Sequence, residues 1–188
     1  MKIILGSSSQ FRKQMLQEMG YDFEVVSPDI NEKLIRDVNP EKLVLSLALA
    51  KAKAITNNIK YPATIITADQ VISFDGTIRE KPKDEQDARS FLLSYGIKPS
   101  KVINGIVVTN TLNNKQVTAI DIVEFYLEPL TKEVIDELIK QKIIFQCAGA
   151  LRLEDPLMKP FIKEIRGTPD SFMGLSKKLT ESLLKEVA

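Results

Sequence analysis

Apolar positions along this chain change period several times, and each change predicts an element. Lys2-Ile3-Ile4-Leu5 reads as a short buried strand, followed by the small polar run Gly6-Ser7-Ser8-Ser9. Phe11, Met15, Leu16 and Met19 then recur at helical spacing, with Gly20 as a stop. A strand is expected over 23–27, and 28–39 reads as a loop carrying Asp29, Asn31 and Glu32. Asn39-Pro40 supplies an N-cap and a proline at the first helical position, and the helix runs on through Leu43, Leu47, Ala50 and Ala54. Residues 64–74 are β-rich, and Asp75-Gly76 is a hairpin signal. Asp84 caps a helix running to about Tyr95. Strands near 102–111 and 117–127 meet at Asn113-Asn114, and Thr131 caps a helix with Ile135, Leu138 and Ile139 on its apolar side. Beyond Ala148-Gly149 a strand is expected near 161–165 and a last helix from about Ser171. Strands alternating with helices, with a hairpin among them, predict an α/β fold built on a mixed sheet.

Composition narrows the chemistry. The 188 residues suit one domain over 1–188, with room for two lobes around a real core. A formal net charge of +1 argues against a dedicated nucleic-acid binder. The absence of histidine removes Ser-His and Cys-His centres and histidine-ligated zinc. The single cysteine, Cys147, forms no intrachain disulfide and is expected as a small buried hydrophobe. No apolar run approaches the ~20 residues of a membrane span. The chain opens on a strand rather than a signal peptide, so a cytoplasmic, membrane-free setting is expected.

Four places break local rules, and such breaks tend to mark function. The Ser7-Ser8-Ser9 loop joins strand to helix, where hydroxyls and free N–H groups can hold a phosphate; serines also cap helices for purely structural reasons. Arg12, one turn in, offers a bidentate phosphate contact. Lys51 lies among Leu47, Ala48, Ala54 and Ile55, where it either meets an anion or snorkels to water. Asp69 interrupts the strand-like Ile65-Ile66-Thr67-Ala68-Asp69-Gln70-Val71-Ile72; it reads as a strand-end metal ligand or general base, or else as a strand edge or salt bridge. Glu80-Lys81-Pro82 fixes Lys81 at a sheet end. Carboxylates Glu32 and Asp69 gathered against Arg12, Lys51 and Lys81 suit Mg²⁺ or Mn²⁺ and phosphate oxygens, and so point to phosphoryl chemistry.

In this order and spacing the residues resemble the Maf family of nucleotide pyrophosphatases over nearly the whole chain. The opening Ser-x-Ser-Pro-Arg-Arg pattern is met by Ser7-Ser8-Ser9-Gln10-Phe11-Arg12, and the Asp-x-Asp-Glu loop by Asp29-Ile30-Asn31-Glu32. Leu47-Ala48-Leu49-Ala50-Lys51-Ala52, Ala68-Asp69-Gln70, Glu80-Lys81-Pro82, Ala148-Gly149 and Gly174-Leu175 follow in the family's order. Gln10, Phe11 and Asn31 depart from the pattern, and Ser100 stands near the place of a frequent histidine. The resemblance implies an elongated, two-lobed mixed α/β fold with a central cleft, frequent homodimerisation, and hydrolysis of a nucleoside triphosphate between its α and β phosphates. It further implies Asp69 as general base and metal ligand, and Glu32 as metal ligand or water-positioning group. Ser7, Ser9, Arg12, Lys51 and Lys81 would hold the triphosphate, with Lys81 also serving catalysis.

Three family positions associated with base choice read Phe11, Gln70 and Glu154 here. N7-methylated guanine is a cation, and an aromatic face attracts a cationic ring by roughly 0.5–2 kcal/mol. A carboxylate accepts hydrogen bonds from the guanine N1–H and amino group. These residues favour 7-methyl-GTP, whereas Phe11 also starts the stripe Phe11-Met15-Met19 and is open to a core role. The competing readings are a dTTP/UTP pyrophosphatase of nucleotide-pool cleansing, a non-catalytic nucleotide-binding regulator of cell division, and a protein-binding module using the 175–184 stripe. That stripe is expected to pack on the chain's own core instead.

Overall fold

The computed structural model describes residues 1–188. Its strands are β1 (Lys2–Gly6), β2 (Phe23–Val25), β3 (Ala63–Phe74), β4 (Thr77–Arg79), β5 (Ser100–Asn110), β6 (Lys115–Leu127) and β7 (Ile162–Arg166). The helices are α1 (Gln10–Glu18), α2 (Pro40–Asn58), α3 (Glu85–Ser94), α4 (Lys132–Lys140), α5 (Pro169–Phe172) and α6 (Lys177–Val187). The strands form one mixed sheet ordered β2-β1-β3-β5-β6-β7, with β4 paired to β3. β1 runs parallel to β2 and β3, while β3–β4 and β6–β7 are antiparallel. The expected α/β class with a mixed sheet is therefore the observed one. No helix is long and apolar enough to cross a membrane.

Helix starts follow local chemistry. Asn39, Asp84 and Thr131 each accept a backbone N–H of the first turn through their side chains, as their positions before the apolar stripes predict. The last helix departs from expectation. Thr168 and Pro169 start only a single turn, α5, and the chain breaks at Gly174 with φ 99 before Ser176 caps α6. The apolar periodicity alone does not show that break.

The chain divides into two compact units. The first comprises Met1–Gln70, Ile103–Ile122 and Thr168–Ala188. Here the strands are apolar on both faces because helices cover both. Leu5, Ile66, Ala68, Ile106 and Val108 pack with Met15 and Leu16 of α1 and Leu183 and Val187 of α6. The alternate residues Ile4 and Ile65 pack with Ile55 of α2, and Val107 with Ala48 and Ala52 of the same helix. The 175–184 stripe is thus part of the chain's own core. At Gly105 a Cβ would lie 2.7 Å from the Val44 carbonyl, so glycine lets α2 approach β5. The second unit comprises Val71–Val102 and Val123–Gly167. Its core holds Leu92, Tyr95, Phe125, Ile135 and Leu138. Arg79 lies over the rings of Phe74, Tyr95 and Phe91 at 3.9, 4.7 and 4.9 Å.

Candidate active site

Strand parity aims the central carboxylate. Along β3, Ile65 and Thr67 face α2, and the Thr67 hydroxyl donates to the Ala48 carbonyl at 2.8 Å. Two residues on, Asp69 points the same way and meets Lys51 of α2, Nζ to Oδ1 2.5 Å. Asp69 is not at a strand end as its isolation in the sequence suggested, since β3 continues to Phe74. Lys51 does not snorkel either: it is 7% exposed and also reaches Glu32 Oε1 at 2.9 Å. Glu32 opens a short 3-10 turn, Glu32–Leu34, whose cap Asn31 accepts the Lys33 N–H at 3.2 Å. Asparagine therefore serves as a cap where the family pattern has aspartate.

The second cation is Arg12, held by three acceptors. Its Nε donates to the Gly174 carbonyl at 3.0 Å, and Nη1 donates to Ala68 O at 2.9 Å and Ser7 Oγ at 3.2 Å. Ser7 also accepts the Ser9 N–H, and Ser9 caps α1 by accepting the Arg12 N–H. The serine loop is thus a capping device with a guanidinium fastened to it. Burial lowers the Arg12 pKa, against the pull of Asp69 and Glu32. Burial raises the Asp69 carboxyl above the usual carboxylate value; Lys51 and Arg12 oppose this and Glu32 adds to it. A carboxyl raised toward neutrality while flanked by fixed cations is suited to accept a proton next to bound phosphates.

Phe11 is 45% exposed while Met15 is 4% exposed, so it is not the first member of a core stripe. Gln70, on the opposite face of β3 from Asp69, donates Nε2 to the Phe172 carbonyl at 3.0 Å. Asn104 was not among the residues singled out from the sequence. It is fully buried on β5 and donates Nδ2 to the Ser171 carbonyl at 2.8 Å. The signal was the same as for Asp69, a polar residue inside an apolar strand run, here Val102 to Val108.

Lys81 and Glu154 belong to the second unit. Lys81 is exposed just after β4 and ahead of the buried Pro82. Glu154 pairs with Arg152 at 3.2 Å, and the same guanidinium lies 3.6 Å from the buried Asp155. Cys147 is half-buried rather than buried, and its thiol is pushed up by burial, with Arg152 and Lys81 opposing and Glu154 adding. Lys81, Arg152 and Glu154 therefore share one electrostatic neighbourhood.

Two carboxylates, Glu32 and Asp69, converge on the one Lys51 ammonium. No group of three or more histidine, cysteine, aspartate or glutamate side chains able to hold a metal is present. Known proteins extend this picture. The 7-methyl-GTP pyrophosphatase of Dictyostelium discoideum is 40% identical over 193 residues, covering 99% of this chain and 97% of its own. The 7-methyl-GTP pyrophosphatase of Idiomarina loihiensis is 33% identical, covering 92% of this chain and 88% of its own. The dTTP/UTP pyrophosphatase of Clostridium botulinum strain Eklund 17B is 32% identical, covering 99% of both chains. The Maf-like protein family itself matches residues 2–187, and with the motifs from Ser7 to Gly174 in place this chain belongs to that family.

Proposed function

We propose that this protein hydrolyses a nucleoside triphosphate to a nucleoside monophosphate and pyrophosphate. The observation that carries this reading is the buried Lys51–Asp69 contact, with Glu32 on the same ammonium and Arg12 coupled to both carboxylates. Membership of a family whose relatives carry pyrophosphatase names supports it.

In this reading water attacks the α-phosphorus and its oxygen forms the new P–O bond. The α–β bridging bond breaks, and pyrophosphate leaves with the bond's electron pair. Asp69 takes the proton from the attacking water, helped by its raised pKa. Lys51 and the Arg12 guanidinium offset the phosphate charge. Glu32 and Asp69 would hold Mg²⁺ or Mn²⁺, which when bound supplies charge neutralisation at the phosphate oxygens. A cytoplasmic setting belongs to the same proposal.

For the base we favour 7-methyl-GTP. The exposed ring of Phe11 is available to a cationic purine, and the 40% identical relative carries that name. The second reading, dTTP or UTP, draws on the 32% identical relative. The deciding assay is pyrophosphate release from 7-methyl-GTP, dTTP, UTP, ATP and GTP with Mg²⁺ or Mn²⁺, with EDTA as control. Asp69→Asn is expected to lower turnover by about 10²–10⁴-fold. Full activity in that variant would remove Asp69 as the base, and a clear dTTP or UTP preference would overturn the assignment of 7-methyl-GTP. A binder without turnover would instead favour the cell-division regulator.

A further inference from the structure

Three side chains from three elements converge on one short segment. Asn104 of β5 donates to the Ser171 carbonyl, Gln70 of β3 to the Phe172 carbonyl, and Arg12 of α1 to the Gly174 carbonyl, at 2.8, 3.0 and 3.0 Å. Each donor is polar within a face that otherwise packs Ile66, Ala68, Ile106, Val108 and Leu175. The segment's own bonds are those of a single turn: Phe172 N to Thr168 O, Met173 N to Pro169 O, Gly174 N to Ser171 O. One turn has little stability by itself, so the three side chains determine where its carbonyls lie.

Asn104 is the member with no direct access to a ligand. It is fully buried, and its Oδ1 has no hydrogen-bond partner. A buried amide with one unmet acceptor is a standing cost in a strand otherwise suited to valine or isoleucine. Its one bond goes to the segment that fixes Arg12, which is the role that can offset this cost. Gly174, with φ 99, would bring a Cβ within 3.4 Å of Arg12 Nε and 3.6 Å of the Gln70 amide carbon. Segment and guanidinium are therefore in direct packing contact.

We propose that Asn104 is a positioning residue. With Gln70 it seats Ser171–Gly174, and the Gly174 carbonyl then aims the Arg12 guanidinium beside Asp69 for the triphosphate. Gln70 on this view acts on base choice through the Phe172 carbonyl, by setting the segment's place, since its amide N–H is already engaged there. The proposal rests on the reading of Arg12 as a phosphate-binding residue.

The test compares Asn104→Leu, Arg12→Lys and the double variant, reading KM and kcat for pyrophosphate release. Amide hydrogen exchange across 168–176 is followed in parallel. Leucine fills the buried volume and removes the orphan oxygen; Asn104→Asp, which keeps the shape and loses the donor, is the second variant should leucine fail to fold. Asn104→Leu is expected to raise KM about tenfold, the worth of one hydrogen bond to a charged group, with kcat within about twofold. Exchange at Phe172–Leu175 is expected to speed up. The lysine variant keeps the charge but loses Nε, so adding Asn104→Leu to it should raise KM no further. KM increases that multiply in the double variant overturn the proposal, as does unchanged exchange in Asn104→Leu. If the wild-type protein hydrolyses no triphosphate, the functional reading fails, and exchange alone then decides whether Asn104 seats the segment.

Discussion

Replacing Lys51 by methionine probes the centre of the candidate site with a side chain of similar length and no charge. Lys51 and Asp69 are both nearly buried, and the variant leaves the Asp69 carboxylate facing Glu32 without the ammonium that separates them. Breaking a buried pair by removing one partner costs about 3–5 kcal/mol. The Glu32 contact adds little, about 0–1 kcal/mol, because that side chain is 55% exposed and screened by water. The lower end, about 3 kcal/mol, is the appropriate expectation, since the half-exposed Glu32 leaves water access to the edge of the pair. For a chain of this size that loss lowers Tm by roughly 6–12 °C.

The sign with pH follows from Asp69. Its folded pKa already lies above the unfolded value through burial, and Lys51 pulls it down, so the variant raises it further. A carboxyl with a raised folded pKa destabilises the fold when ionised. The penalty is fully present above that folded pKa and fades as pH falls toward the unfolded value. Urea unfolding near pH 7 and again near pH 4 reads the difference. Lys51→Met combined with Asp69→Asn should recover about 2–3 kcal/mol at neutral pH, since no buried charge is then left alone. Equal destabilisation of the single and double variants, at both pH values, would refute the ion-pair argument and assign the loss to packing.

Other expectations follow from single contacts. In any Lys51 variant that keeps measurable turnover, the acid limb of kcat/KM should move to higher pH than in the wild type, because the base loses the cation that lowers its pKa; an unmoved limb would dissociate Asp69 from that limb. Tyr95, buried and pushed up to about 12, donates to the Gly149 carbonyl at 2.6 Å. Its protonated form is favoured by folding, so stability should fall between the unfolded tyrosine value near pH 10 and about pH 12, by roughly 3 kcal/mol, and Tyr95→Phe should flatten that alkaline loss in pH-dependent unfolding. Gly105→Ala should be strongly destabilising, by about 2–3 kcal/mol, because the methyl meets α2 backbone at 2.7 Å; a Tm within a degree or so of wild type would show that α2 can move away.

Most elements were legible in the sequence because their signals are local. Caps at Asn39, Asp84 and Thr131 and the turn at Asp75-Gly76 depend on residues within one helical turn of each other. The last helix is less legible, because the apolar stripe at 175–184 does not show that the backbone turns positive at Gly174 and that a separate single turn precedes it. Lys51 and Asp69 stand out as charges at positions whose neighbours are apolar, whereas Asn104 carries the weaker signal of a neutral polar residue in an apolar strand.

The amino-acid sequence alone determined the α/β class, the exclusion of histidine and disulfide chemistry, and a set of charged residues in the order of a known family. Each of these rests on composition or on near neighbours in the chain. Only the tertiary structure decided what each charge meets. Lys51 and Asp69 are 18 residues apart and Arg12 and Gly174 are 162 apart, so their contacts exist only once helices and strands have packed. Burial then sets the strength of those contacts and the direction in which Asp69 and Arg12 titrate, and burial is a property of the folded chain rather than of any local stretch of it.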